Sequence, residues 1–424
     1  MTYQTTKMPN GVTVVTAEMP YMASATLGVW VGIGGRYEAE RLNGACHFIE
    51  HMLFKGTRRR NAAEISEAIE GIGGYLNAFT SEESTCFYAR ASHEKLPELV
   101  DVLGDMFLNS QFDGTELEKE RHVIKEEVAM YQDQPHHFVQ ELLNNLCWPN
   151  QPLGRSLTGT LKTLDGLSRR ILVDFHKSTY VSGATVIAAA GRLNHEQLVR
   201  DLSRFAKKVR PGRRIPFTPA STQQDKPRSI VFTKPIEQTQ LALGIRTCSR
   251  HDDRRFSLRL LNTILGENMS SRLFQTVRED RGLAYSIYSS LSSFDDVGIL
   301  TVSAGLDPSR LQETLQVILD QLRMLREKVP SQAELRRARD FVIGQMDLSL
   351  ESTESQMNWL GENLISYGKV ISPEEVRQRL ASVTASQIRA AANFFFQPDR
   401  MNLAVVGSLK NKDRIQRLLE NHGR

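Results

Sequence analysis

A chain of 424 residues is long for one hydrophobic core, so two or more domains are expected. Its 40% hydrophobic and 24% charged residues exclude a disordered or fibrous chain, and a net charge of +4 is too mild to mark a nucleic-acid binder. No apolar run approaches the roughly 18 residues of a membrane span, so no membrane partner is expected.

The first residues, "MTYQTTKMPNGVTVVTAEMP", read as strand, turn and strand, with Asn10-Gly11 as the turn. No charged segment leads an apolar block and no Arg-rich presequence is visible, which points to a cytoplasmic protein. Cys46, Cys86, Cys147 and Cys248 are scattered without a CxxC pair, as expected of reduced thiols rather than disulfides or a thiolate metal site.

"GACHFIEHMLFKGT" (44–57) places His47 and His51 four residues apart with Glu50 between them. Strong helix formers without Pro or Gly predict a helix, ended by Gly56. Residues i and i+4 share a helix face and i+3 lies beside them, so both imidazoles can point at one ion next to Glu50. The spacing H-x-x-E-H is the inverse of H-E-x-x-H and matches the inverzincin signature for zinc. A catalytic zinc takes three protein ligands, so a third must come from elsewhere. The competing reading is an ordinary helix with two solvent-facing histidines.

Downstream, "GGYLNAFTSEESTCFYARA" (73–91) opens on turn residues and continues as strand. "ELEKERHVIKEEVAMYQDQP" (116–135) reads as a second helix, with Glu120 and Glu127 two turns apart on one face and Glu126 directed elsewhere. His136 and His137 follow Pro135 and read as loop or helix-start residues rather than ligands. The basic clusters "KGTRRR" (55–60) and "KKVRPGRR" (207–214) have no interleaved aromatics and read as solvated surface.

Near the midpoint, "VRPGRRIPFTPASTQQDKPRS" (209–229) lacks hydrophobic periodicity and reads as a linker, dividing the chain into 1–212, a linker at 213–228, and 229–424. The two halves repeat. "LDGLSRRILVDFHKSTYVSGATVIAAAG" (164–191) lies without gaps over "LASVTASQIRAAANFFFQPDRMNLAVVG" (380–407), and "LGVWVGIGG" (27–35) answers "LALGIRTCS" (241–249). The fold expected is α+β: two homologous halves, each an antiparallel sheet with helices packed on one face. The repeat is also a control. His47, Glu50 and His51 correspond to Leu261, Ile264 and Leu265, and Glu120 and Glu127 to Ala338 and Gln345. The second copy makes the same helices without these polar groups, which argues against a purely structural role for them in the first.

With "HFIEHMLFKGT", "YLNAFTSEEST" (75–85), "ERHVIKEEVAMYQDQP" and "SSRLFQTVREDRGLAYS" (270–286), the chain resembles the insulinase/pitrilysin family of zinc peptidases, in the short-chain branch of processing-peptidase β subunits and bacterial homodimers. The resemblance implies a zinc metalloendopeptidase with Zn2+ on His47, His51 and Glu127. It makes Glu50 the general base and Glu120 the group that orients a ligand histidine. It implies that Asn77, Ala78 and Phe79 form an edge strand pairing with substrate, and that Arg278 and Tyr285 hold substrate and stabilise the oxyanion. It also implies a homodimer, or a heterodimer with a related subunit, whose chamber admits unfolded peptides. Glu267 and Asn268 stand where an α-type subunit carries its glycine-rich loop, which excludes that role. The second functional reading is a non-catalytic scaffold or partner subunit; such chains usually lose part of the five-residue zinc constellation, which is complete here.

Overall fold

The computed structural model describes residues 3–408 and 413–421. The chain forms two compact units, and neither is continuous in sequence. The first comprises Met1–Ala129, Arg155–Thr218 and Asp347–Ile371; the second comprises Met130–Gly154, Pro219–Met346 and Ser372–Arg424.

In the first unit the strands are β1 (Tyr3–Lys7), β2 (Thr13–Glu18), β3 (Ser24–Val31), β4 (Tyr75–Thr80), β5 (Thr85–Ser92) and β6 (Thr185–Gly191), in the order β1-β2-β6-β3-β5-β4. All neighbours are antiparallel except β2 and β6, which run parallel. The antiparallel sheet expected from sequence holds for every neighbouring pair but that one: β6 returns from the end of the half into the middle of the sheet. The second unit repeats the device. Its strands β7 (Arg228–Thr233), β8 (Thr239–Cys248), β9 (Ser286–Ser293), β10 (Val297–Leu306) and β11 (Met401–Gly407) run β7-β11-β8-β10-β9, with only β7 and β11 parallel.

One face of the first sheet carries α1 (Ala45–Leu53), α2 (Leu96–Asn109), α3 (Gly114–Asp133) and, past α4 (Pro135–Cys147), α5 (Arg169–Thr179) and α6 (His195–Lys208). Val29, Val31, Phe48, Ile49, Met52, Leu103, Leu172 and Leu202 form the core between them, each at most 2% exposed. The other face is covered as well, by α7 (Thr353–Tyr367), whose Met357, Leu360 and Leu364 pack on Val15, Ala17, Trp30, Ala188 and Ala190. The approach is close: a Cβ on Gly361 would lie 2.2 Å from the buried Trp30 ring, so only glycine fits there. In the second unit α4 covers the equivalent face, with Val139, Leu143 and Cys147 against Ala242, Ala404 and Val406. Each half in sequence thus supplies one helix to the unit built around the other half's sheet, and each sheet is helix-covered on both faces rather than one.

The four cysteines are free and buried. No helix among the described residues is long and apolar enough to cross a membrane.

Candidate metal centre

Helix α1 is amphipathic in the way its sequence predicts. Cys46, Phe48, Ile49, Met52 and Leu53 enter the core, leaving His47, Glu50 and His51 half-buried on the opposite stripe. Gly44 precedes the helix at φ +94, where a side chain would be strained and would collide with the Thr158 carbonyl. No Ser, Thr, Asp or Asn caps this N-terminus. The buried Glu38 does so from a distance: Oε2 accepts from Gly44 N at 2.8 Å and Oε1 from Cys46 N at 2.6 Å.

Burial pushes the Glu38 carboxyl up to about 7, although these donors pull it down. Its folded-state value lies above its unfolded one, so its contribution to stability is fully present below about pH 4.5 and is lost as pH rises through 7. The loss amounts to a few kcal/mol at about 1.4 kcal/mol per unit. Denaturant melts of wild type and Glu38→Gln across pH 4.5–8 should differ by that slope. Parallel curves would show that Glu38 is not carried neutral in the fold.

Helix α3 buries Leu117, Glu120, Arg121, Ile124 and Val128, which brings Glu120 and Glu127 to α1 while Glu126 stays exposed. One carboxylate oxygen of Glu127, Oε2, faces both histidines, at 3.6 Å from His47 Nε2 and 3.7 Å from His51 Nε2. Each residue offers one ligand atom, and these atoms all lie within 4.8 Å of one another; no other such group of three exists among the described residues. Donor atoms around a tetrahedral zinc with bonds of about 2.0–2.2 Å stand roughly 3.3–3.6 Å apart. Both Glu127–histidine separations match that spacing to within a few tenths of an ångström.

The surrounding groups prepare the donors. His51 Nδ1 is 3.0 Å from Glu120 Oε2, which favours a proton on Nδ1 and leaves Nε2 free to ligate. The other Glu120 oxygen takes a 2.8 Å ion pair from Lys55. Burial acts to raise Glu120, but the bonds from His51 and Lys55 outweigh it and hold the carboxyl below its usual range. Burial, reinforced by His51 and opposed by Glu127, lowers His47 to about 4, so its imidazole is neutral at pH 7, as a ligand must be. His47 Nδ1 is buried without a hydrogen-bond partner among the described residues.

Glu50 lies outside this triangle and accepts a 2.5 Å hydrogen bond from Thr80 Oγ1. Burial pushes its carboxyl up from the ordinary range, with Glu127 adding to the rise and Thr80 and His51 opposing it. A carboxylate displaced in this direction is a better proton acceptor near neutral pH.

Strand β4 is the edge of its sheet. The Asn77 side chain accepts from Ala78 N at 2.8 Å and donates to Tyr75 Oη at 2.6 Å. Side chains alternate along a strand, so Leu76, Ala78 and Thr80 face the α1 side, while Asn77 and Phe79 face away. Phe79 packs edge-on against Trp30, with ring centroids 5.3 Å apart, and its side chain is not part of the metal cluster. Arg278 and Tyr285 belong to the second unit. They are brought together, the guanidinium carbon 5.8 Å from the Tyr285 ring centre, and Tyr285 is 75% exposed. At the repeat positions in that unit Leu261, Ile264, Leu265 and Ala338 are buried and Gln345, opposite Glu127, is exposed, so both histidines have only apolar counterparts.

Sequence reasoning missed Thr80, Lys55 and Glu38. Thr80 and Lys55 lie within the quoted motifs, but only the folded geometry shows what they touch. Glu38 had no local signal, because it caps its helix across a six-residue gap.

Family models describe residues 13–161 as "Insulinase (Peptidase family M16)" and residues 166–342 as "Peptidase M16 inactive domain". A protein of Streptomyces coelicolor described as an uncharacterized zinc protease is 38% identical over 97% of this chain and 91% of its own length. The chain belongs to the M16 (insulinase) peptidase family. A similarly described zinc protease of Bacillus subtilis is 37% identical over 92% of this chain and 95% of its own. Among solved structures, a protease from Helicobacter pylori matches the fold with a TM-score of 0.90 at 20% identity, over 96% of this chain and 99% of that one. The complete metal cluster falls within the first M16 match, and the apolar positions 261, 264 and 265 fall within the domain described as inactive.

Proposed function

We propose that this M16 protein is a zinc-dependent endopeptidase acting on unfolded peptides. The observation that carries the reading is the convergence of His47 Nε2, His51 Nε2 and Glu127 Oε2 beside a half-buried Glu50 whose carboxyl is pushed up by burial. The naming of its relatives as zinc proteases supports the choice of metal.

Zinc held by these residues would supply a Lewis acid for the scissile carbonyl and lower the pKa of bound water towards 7. The protein's own groups supply the rest. Glu50 takes the proton of the attacking water and passes it to the leaving amine. Thr80 holds the Glu50 carboxylate at the end of β4, so the base is tied to the strand that would receive substrate. Glu120, anchored by Lys55, fixes the His51 tautomer. The open edge of β4 suits extended main chain, whose recognition depends little on side-chain identity. That requirement selects unfolded segments over folded proteins.

Arg278 and Tyr285 carry the donors that a developing oxyanion needs, and we assign them that role within a homodimer. Mixing Glu50→Gln chains with Arg278→Ala chains should restore activity above either parent. Mixtures no better than the parents would contradict site sharing. The peptidase reading itself is tested by cleavage of a mixed peptide library. Cleavage should disappear with chelator and return with zinc, and chelator-insensitive cleavage would overturn it.

A further inference from the structure

The two basic clusters read from sequence as solvated surface converge in the fold of the first unit. A cavity of about 350 Å³ is lined by Arg58 from "KGTRRR" and by Lys208 and Arg210 from "KKVRPGRR". Arg169 and Lys177 join them from one face of α5. No carboxylate lines this cavity. Among the described residues Arg58, Lys177, Lys208 and Arg210 make no ion pair. The neighbouring cavity, which shares Lys208, is different: its other cations Arg59, Arg200 and Arg204 share the wall with Asp101, Asp105 and Asp201, so most of its charge is offset internally.

The wall is built rather than incidental. Arg169 donates to the Phe112 carbonyl at 2.6 Å and to the Gln111 carbonyl at 3.0 Å, which fixes its guanidinium. Phe112 itself sits at φ +48, a strained conformation for a bulky residue that its surroundings must hold in place. His176 lies between the rings of Phe112 and Tyr180, at centroid distances of 5.3 and 4.3 Å, with a buried Nε2 that has no partner. Five cations lining one cavity without an acid repel, and a multiply charged anion relieves that repulsion.

We propose that this cavity binds a small anion carrying two or three phosphates. A single carboxylate would answer only one of the cations, whereas an oligophosphate offers several acceptor oxygens to Arg and Lys donors at once. A nucleic-acid strand fits less well, because it needs exposed rings for base stacking and Phe107 and Phe112 are each only 3% exposed. The cavity is joined to the metal helix: Ser110 Oγ donates to the Met52 carbonyl at 3.2 Å and Gln111 N to the Gly56 carbonyl at 3.1 Å.

The test is calorimetric titration of the full chain with inorganic triphosphate at roughly physiological ionic strength, where non-specific surface attraction is screened. One site per chain is expected, weakened about ten-fold or more in Lys208→Gln/Arg210→Gln. The same affinity as wild type is expected in Arg200→Gln/Arg204→Gln, which removes equal charge from the neighbouring cavity and leaves the shared Lys208 in place. That control carries the same metal centre, so any chelation by the probe is common to both variants. All four positions are exposed, and thermal melts of the variants check that they fold. Absence of binding, or equal weakening in both double variants, would overturn the proposal. Tighter binding of a single-stranded oligonucleotide through Lys208 and Arg210 would overturn the assignment to a small anion.

Discussion

Replacing Glu50 by Gln is expected to lower kcat by about 10²–10⁴-fold while the protein keeps its metal. Glutamine is nearly isosteric and can still bond Thr80, so the pocket and the three ligand atoms should stay in place. It cannot accept the proton of the attacking water, so the loss should appear in kcat with KM little changed. Peptide hydrolysis and bound-metal content measured on the same preparation separate the alternatives. Loss of metal along with activity would make Glu50 a ligand or a structural group, and full turnover would remove it from the mechanism.

The second large effect is a graded one on metal affinity. Glu127→Ala removes one of three donor atoms and should abolish tight binding and activity together, because two histidines alone hold zinc weakly. Glu120→Ala leaves all three donors but frees His51 Nδ1 and strands Lys55, so a 10–100-fold loss of affinity is expected. Competition against a zinc indicator ranks the two variants. If Glu120→Ala proved as damaging as Glu127→Ala, Glu120 would be a direct ligand and the assignment of roles along α3 would be wrong.

Much of the centre was legible because helical spacing is rigid. His47 and His51 must share a face at i, i+4, and Glu120 and Glu127 must do so at i, i+7; the folded positions of all four follow from that periodicity. The internal repeat was legible for the same reason, and its apolar second copy now sits where buried Leu261 and Leu265 are found. The exchange of α4 and α7 was not read. Its signal was present: after Thr185, "VIAAAG" in β6 is apolar throughout rather than alternating, as expected of a strand buried on both faces. Which helix supplies the second cover is a long-range packing choice that no local pattern encodes. Asn77, Ala78 and Phe79 lie on the edge strand β4, as the motif implies, while alternation turns the Phe79 ring to Trp30 and presents Thr80 to Glu50. The basic clusters were judged segment by segment, and only the fold places residues 58 and 210 on one wall.

The proposed chemistry rests on one metal held by His47, His51 and Glu127. The most direct test is elemental analysis of the full chain after purification without chelator and dialysis against trace zinc. About one zinc per chain, reduced to background in Glu127→Ala, is the predicted result. A chain that takes up no zinc, or a Glu127→Ala variant that retains it in full, would contradict the account.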